Sequence, residues 1–238
     1  MSEVSQKVGI ITGASRGIGQ AIAVKMAEKG YHLGLVARQR EGLETTASLC
    51  HQFGVKTLCL PVDIANPMLQ RSIIESVTDE LGPPECLINN AGVFASGPTE
   101  KVVLRDWAAM FEINTKAAMA LTYFALPYLK RQKGAVIFIS SIAGKIGFPN
   151  LSGYCASKFA LQGFAGALFE EVRESGVKVC TINPGLVDTD MAKNRGFDSS
   201  KMIRAEDIAQ SVDFILSFPS NACPTEIIIQ PQYDPKPE

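Results

Sequence analysis

Seven short apolar runs, separated by longer stretches of helical period, leave this chain few folds to choose from. The runs are Val8–Thr12, His32–Ala37, Lys56–Pro61, Cys86–Asn89, Ala135–Ser140, Lys178–Asn183 and Glu226–Ile229. All but the first and last are apolar enough to be buried on both faces, which argues against a half-exposed antiparallel sheet. Helical spacing fills Ile18–Lys29, Glu41–Phe53 and Pro67–Leu81, each followed by a glycine (Gly30, Gly54, Gly82) where a left-handed cap would end it. Longer helices are expected over Leu104–Arg131 and Gly153–Glu174, then Ala205–Ser217. Strand–helix alternation with short connections builds parallel βαβ crossovers. The expected fold is therefore α/β, a doubly wound parallel sheet of seven strands with helices on both faces. All 238 residues fall in one domain, without repeat or linker. Only the Pro-rich stretch 231–238 is left unassigned, either frayed or packed on a neighbour.

The first strand runs into Thr12-Gly13-Ala14-Ser15-Arg16-Gly17-Ile18-Gly19, and a helix begins inside that motif. Gly13 can make the tight turn off the strand, Gly17 allows close backbone approach to a phosphate, and Gly19 lets helix and sheet pack closely. The helix N-terminus then presents unpaired N–H groups and a positive dipole end to a pyrophosphate. This is the Rossmann arrangement, but with the spacing G-x-x-x-G-x-G in place of G-x-G-x-x-G. In that spacing the chain resembles the short-chain dehydrogenase/reductase family.

An acidic residue at the end of the second strand would accept hydrogen bonds from a ribose 2′-hydroxyl and repel a 2′-phosphate. Here the strand ends Leu35-Val36-Ala37-Arg38, so a guanidinium follows where the acid is missing. Arg16 in the glycine loop would approach the same ribose, and two arginines around one phosphate favour NADP(H). The resemblance implies further cofactor contacts. Asp63 and Ile64 would meet the adenine, and Asn90, Ala91 and Gly92 of the Asn89-Asn90-Ala91-Gly92 segment would border the cofactor. Pro184, Gly185, Val187 and Thr189 would line the nicotinamide end, with Ser15 and Ile18 completing the glycine loop.

Tyr154 and Lys158 are spaced i, i+4 and share one helix face. Ser141 lies 13 residues before Tyr154, and Asn114 lies mid-helix in the preceding crossover. Together they match the family's Asn-Ser-Tyr-Lys tetrad. Ketone reduction needs a hydride at carbon and a proton at the developing alkoxide, and free tyrosine, with a pKa of about 10, is a poor acid–base catalyst at neutral pH. The Lys158 ammonium would stabilise its anion. By the resemblance, Lys158 also holds ribose hydroxyls and Asn114 holds a water in a proton relay. Ser141 would donate to the carbonyl oxygen. Its neighbour Ser140 points to the opposite face of the strand, and the 13-residue spacing selects Ser141.

The resemblance spans about Lys7 to Val212. Substrate contacts are expected from Phe94–Gly97, Ile142–Leu151 and Leu186–Phe197, where Phe94, Phe148, Leu151, Leu186, Met191 and Phe197 make an apolar lining or simply cover a core. The stretch between Thr189 and Arg204 is short for a substrate-covering loop of the family, which suggests an open, permissive site. The end, Glu226-Ile227-Ile228-Ile229-Gln230-Pro231, lacks the Gly-Gly pair common in 3-oxoacyl-carrier-protein reductases. An NADPH-dependent carbonyl reductase or alcohol dehydrogenase is thus the leading expectation. The alternatives are the carrier-linked reductase and a non-catalytic NADP-binding regulatory protein.

Composition removes other classes. With 23 basic and 24 acidic residues there is no electrostatic footprint for nucleic acid. No apolar run approaches the ~20 residues of a membrane span, and the polar Met1–Lys7 does not read as a signal peptide. Six scattered cysteines without a CxxC pair, and only His32 and His51 beside them, point to free thiols in a reducing compartment, hence the cytoplasm, and to no metal site. Small residues at helical spacing (Ala156, Ala160, Gly163, Ala165, Gly166, Ala167) would let another helix approach closely. In the family such a face often builds a dimer, so a homodimer or homotetramer is expected.

Overall fold

The computed structural model describes residues 7–192 and 196–236. Seven parallel strands form one sheet in the order β3-β2-β1-β4-β5-β6-β7. They are β1 (Val8–Thr12), β2 (His32–Ala37), β3 (Thr57–Pro61), β4 (Cys86–Asn89), β5 (Ala135–Ile139), β6 (Lys178–Pro184) and β7 (Glu226–Ile229). The order reverses between β1 and β4, which pair with Gly9 opposite Cys86. At such a switch point two crossovers run in opposite directions, and a crevice opens beyond the carboxyl ends of the strands.

Helices cover both faces because adjacent strand residues point to opposite sides. Ile11, Leu33 and Ile88 join one apolar cluster with Ile22 and Met26 of α1 (Gly17–Glu28), Leu43 of α2 (Arg40–His51) and Val212 of α7 (Ala205–Ser217). Ile10, Leu87 and Phe138 join the other, with Ile74 of α3 (Gln70–Leu81), Leu121 of α5 (Ala118–Gln132) and Leu161 of α6 (Ser152–Val172).

Three expectations need correction. Strand β1 is buried along its whole length because it sits at the sheet centre, whereas β3 is half exposed because it is an edge. Apolar content alone does not tell an edge strand from an interior one. The helix expected over Leu104–Arg131 is broken. It runs as α4 (Leu104–Phe111), a wider π turn over Glu112–Ala117, and then α5. Gly82 ends α3 with φ 106° and ψ 174°, an extended exit and not a left-handed cap. All six cysteines are free, four of them buried.

Candidate active site

The glycine turn is built as its spacing requires. Gly13 has φ 67°, and a Cβ there would lie 2.9 Å from Asn90 Nδ2. At Gly19 a Cβ would sit 2.2 Å from the Gly13 carbonyl oxygen, so any side chain would force the first turn of α1 off the end of β1. Asn90 and Thr12 hold the switch point together. The Asn90 side-chain amide donates to the Thr12 carbonyl at 2.9 Å, and the Asn90 and Ala91 N–H groups each donate to Thr12 Oγ1 at 3.0 Å. Arg16, the N-cap of α1, makes no side-chain cap bond, so the first-turn amides of α1 are left for an anion. Thr189 faces them across the crevice: its methyl lies 3.4 Å from where a Gly17 Cβ would be. A glycine cradle between a helix N-terminus and the loop after β6 fits the pyrophosphate of a dinucleotide.

The residues expected around the ribose and adenine are dispersed. Arg16 is three-quarters exposed and reaches Asp190 at 3.2 Å. Arg38 is exposed at the end of β2 and makes no ion pair among the described residues. The structure therefore does not pair the two guanidiniums. Asp63 is exposed and accepts from the Ala65 N–H at 3.0 Å, while Ile64 is buried and its carbonyl takes Gln70 Nε2 at 2.8 Å. Ser15 packs against Gly42 of α2, where a Cβ on Gly42 would meet it at 2.8 Å, and Ile18 is half-buried against the core. Pro184 ends β6, Gly185 N donates to the Ile229 carbonyl at 2.8 Å, and Val187 bridges to Ile203.

Tyr154 and Lys158 lie one turn apart near the start of α6. The Tyr154 ring tilts against Phe94 with centroids 4.9 Å apart, and Lys158 Nζ lies 5.8 Å from the same ring. Gly153, just before the tyrosine, is pressed onto Trp107 of α4: a Cβ there would sit 2.4 Å from the indole. Lys158 is 4% exposed, and its ammonium donates to the Ile139 carbonyl at 3.0 Å at the end of β5. Burial lowers its pKa from 10.5 to about 8. The turn that follows Ser141 (Ile142–Gly144) seats on this helix, because Gly144 has no side chain to meet the Lys158 carbonyl, 2.9 Å from its missing Cβ. The two serines separate as strand alternation requires. Ser140 is buried, and its hydroxyl lacks a hydrogen-bond partner among the described residues; Ser141 is half-buried and its Oγ caps the turn by accepting from Ala143 N at 3.1 Å.

Asn114 is buried in the π turn. Its Oδ1 accepts from Val93 N at 2.8 Å, and its Nδ2 donates to Val93 O at 3.0 Å and to Ser157 Oγ at 3.1 Å. Gly92 is adjacent: a Cβ on it would fall 3.3 Å from Asn114 Oδ1 and 3.8 Å from Lys158 Nζ. Four partners were not foreseen from sequence: Phe94 as a stacking partner, Trp107, Ser157 and Asp190. No spacing rule points to them, since each meets its partner across a long stretch of chain. Among the expected apolar lining, Phe148, Leu151, Leu186 and Phe197 are half-buried and Met191 is 43% exposed. Residues 193–195, within the expected substrate segment, lie outside the described residues.

A parallel sheet of this order, with a glycine turn and a Tyr/Lys/Ser/Asn grouping at its carboxyl edge, defines a Rossmann-type oxidoreductase scaffold. The chain belongs to the short-chain dehydrogenase family, whose model matches residues 7–199. It is 31% identical over 232 residues to an uncharacterized oxidoreductase of Staphylococcus epidermidis, covering 97% of this chain and all of that one. It is 32% identical over 243 residues to the glycine betaine reductase of Emericella nidulans, covering 98% of this chain and 19% of that protein. Among solved structures it superposes on an alcohol dehydrogenase of the archaeon Thermococcus sibiricus complexed with 5-hydroxy-NADP (TM-score 0.91, 28% identity, 98% of this chain and 100% of that one). A metagenomic short-chain oxidoreductase in complex with NADP gives a TM-score of 0.84 at 28% identity, over 98% of this chain and 100% of that one.

Proposed function

We propose that the chain is an NADP(H)-dependent carbonyl reductase, working in reverse as an alcohol dehydrogenase on a ketone or aldehyde and its alcohol. One observation carries this reading: Tyr154 and the buried ammonium of Lys158 share one face of α6, with the Ser141 turn seated on that helix. The phenol and the ammonium are the proton donor and its electrostatic support; a merely structural helix would have no reason to bury a lysine there whose ammonium meets a backbone carbonyl but no carboxylate among the described residues.

The nicotinamide, when bound, supplies or accepts the hydride. The remaining work falls to the chain. Tyr154 delivers the proton from its Oη to the substrate oxygen, and Lys158 Nζ stabilises the phenolate left behind. Ser141 Oγ orients the substrate oxygen and donates to its developing charge. Asn114 holds the segment Gly92–Val93 against α6 through Val93 and Ser157, which fixes the wall beside Lys158. Gly13, Gly17, Gly19 and the α1 amides would hold the pyrophosphate. Asn90, Ala91, Gly92, Pro184, Gly185, Val187 and Thr189 would border the nicotinamide half, while Ser15, Asp63 and Ile64 would flank the adenosine half. The 2′-phosphate falls to Arg38, which no acid neutralises among the described residues, with Arg16 turned to Asp190 until the phosphate competes for it. The NADP-bound neighbours support the same choice. Six free thiols fit a reducing, cytoplasmic setting.

The chain would act as a homodimer or homotetramer. The outer faces of α5 and α6 expose Met119, Tyr123 and Phe159, and Gly163 and Gly166 leave open space where side chains would stand. The test of function is a screen of NADPH and NADH oxidation over ketones, aldehydes and β-ketoacyl thioesters. Turnover of free carbonyls with NADPH is expected. Preference for NADH overturns the cofactor choice, preference for the thioesters replaces the substrate class, and silence over the whole panel overturns catalysis.

A further inference from the structure

The Pro-rich stretch after β7 is the sequence feature that the proposed site leaves unused. It does not run away from the molecule. Gln230 and Pro231 turn over Gly185, where a Cβ would lie 2.6 Å from Gln230 Oε1 and 3.0 Å from the Pro231 ring. Further along, Pro235 is buried and its carbonyl accepts the Asp198 N–H at 2.7 Å. Asp198 belongs to the segment between β6 and α7, which closes at its base through Ile203. Ile203 N donates to Leu186 O at 3.0 Å, Asp188 N donates to Ile203 O at 2.8 Å, and Val187 bridges to Ile203. The Asp198 carboxylate is engaged locally, accepting from Ser200 N at 3.0 Å and Ser200 Oγ at 2.7 Å. Its backbone N–H is therefore the group turned to the tail. The tail is stiff: Pro231 and Pro235 fix φ, and Lys236 N donates back to Asp234 Oδ1 at 3.0 Å. A stiff segment loses little conformational freedom when it is held, so one buried bond is enough to keep it in place.

We propose that residues 231–236 form a strap that sets the position of residues 196–203, and through the Ile203–Leu186 bond the Leu186 wall of the substrate pocket. Asp198 and Pro235 are then positioning residues for the substrate, while the pyrophosphate cradle of Gly13, Gly17 and Gly19 is left alone, and Gln230 and Pro231, which cover Gly185, stay in place when the bond to Asp198 is lost. This rests on the carbonyl reductase reading of the site. The strap also explains why a short covering segment needs no extra length: the tail supports it from outside.

Two variants isolate the bond. Asp198→Pro removes the donor, and Asp198 already has φ −76°, within the proline range. Asp198→Ala keeps the N–H and loses the carboxylate's contacts with Ser200 and Lys201, which Asp198→Pro loses as well, so it is the control. A chain ending at Tyr233 removes the acceptor. KM for the best carbonyl substrate is expected to rise about fivefold in Asp198→Pro relative to Asp198→Ala, and at least as much in the shortened chain, with the NADPH Kd unchanged. In hydrogen exchange the Asp198 amide is expected to be slow in the full chain and fast in the shortened one. Wild-type KM in the shortened chain overturns the positioning role, and a fast Asp198 amide in the full chain overturns the strap. If the full chain reduces no carbonyl compound, the catalytic reading falls separately, and the exchange measurement alone decides the strap.

Discussion

At the residue scale, Tyr154 and Lys158 are held by different means and should fail differently. The Tyr154 ring packs on Phe94, so Tyr154→Phe keeps that contact and removes only the hydroxyl. The kcat is expected to fall by more than about tenfold, or about 1.4 kcal/mol of barrier, with the NADPH Kd near wild type. A smaller loss in single-turnover reduction would show that another group delivers the proton. Lys158 carries a linked prediction about stability. Its pKa is about 8 in the fold against 10.5 ordinarily, so between those values the unfolded chain holds a proton that the native chain has released. Stability therefore rises with pH across that window as the penalty for burying the ammonium is relieved, by up to about 3 kcal/mol. Urea unfolding of the cofactor-free protein should show this rise relative to Lys158→Met, whose other titrating groups are the same. Parallel pH profiles for the two proteins would mean that the lysine is not desolvated. The spacing of Tyr154, Lys158 and Ser141 made them legible in the sequence, because i, i+4 geometry and strand alternation are local rules. Phe94 was legible only as apolar lining and Ser157 and Asp190 not at all, because only the packed chain brings these three to Tyr154, Asn114 and Arg16.

At the element scale, the strands and helices followed from apolar periodicity, and the misreadings have one cause. Periodicity registers burial along an element but not the element's neighbours. It therefore could not place β3 at the sheet edge, nor show the π turn inside the helix from Leu104. The π turn widens the helix by one residue where Asn114 must face inward, and such turns gather at functional sites. Asn114 then supplies both a donor and an acceptor to Val93, as a strand partner would. Asn114→Ala would strand the Val93 N–H and carbonyl, while Ser157 Oγ loses a donor but keeps its own bond to the Tyr154 carbonyl. A buried polar group left unpaired costs about 1–3 kcal/mol, so a loss of at least about 2 kcal/mol is expected, read as a lower urea midpoint at unchanged slope. Activity should fall with it, since the same bonds fix Gly92 beside Lys158. If Asn114→Ala matches the wild-type midpoint, the pairing with Val93 contributes nothing and the π turn has another cause.

At the scale of the whole molecule, the two apolar clusters account for the faces of the sheet, and a further apolar surface is left on the outside of α5 and α6. Tyr123 is 73% exposed, Phe159 46% and Met119 39%, on helices whose other faces are already buried against the sheet. Scattered exposed side chains are ordinary, but large apolar side chains on two long helices, with glycines on α6 that leave room for a close approach, are what a second helix pair would bury. Gly163 decides the matter cleanly. It is exposed, a Cβ there meets nothing within 4 Å, and glycine inside a helix is less favourable than most residues by up to about 1 kcal/mol. Gly163→Arg should thus leave the isolated fold intact or slightly more stable while placing a charge in the middle of any interface. Light scattering of the wild-type chain at micromolar concentration is expected to give a multiple of 25.6 kDa, and Gly163→Arg a lower state with an unchanged circular dichroism spectrum. A wild-type chain found only at 25.6 kDa would leave this face as bare surface and the proposed assembly without support.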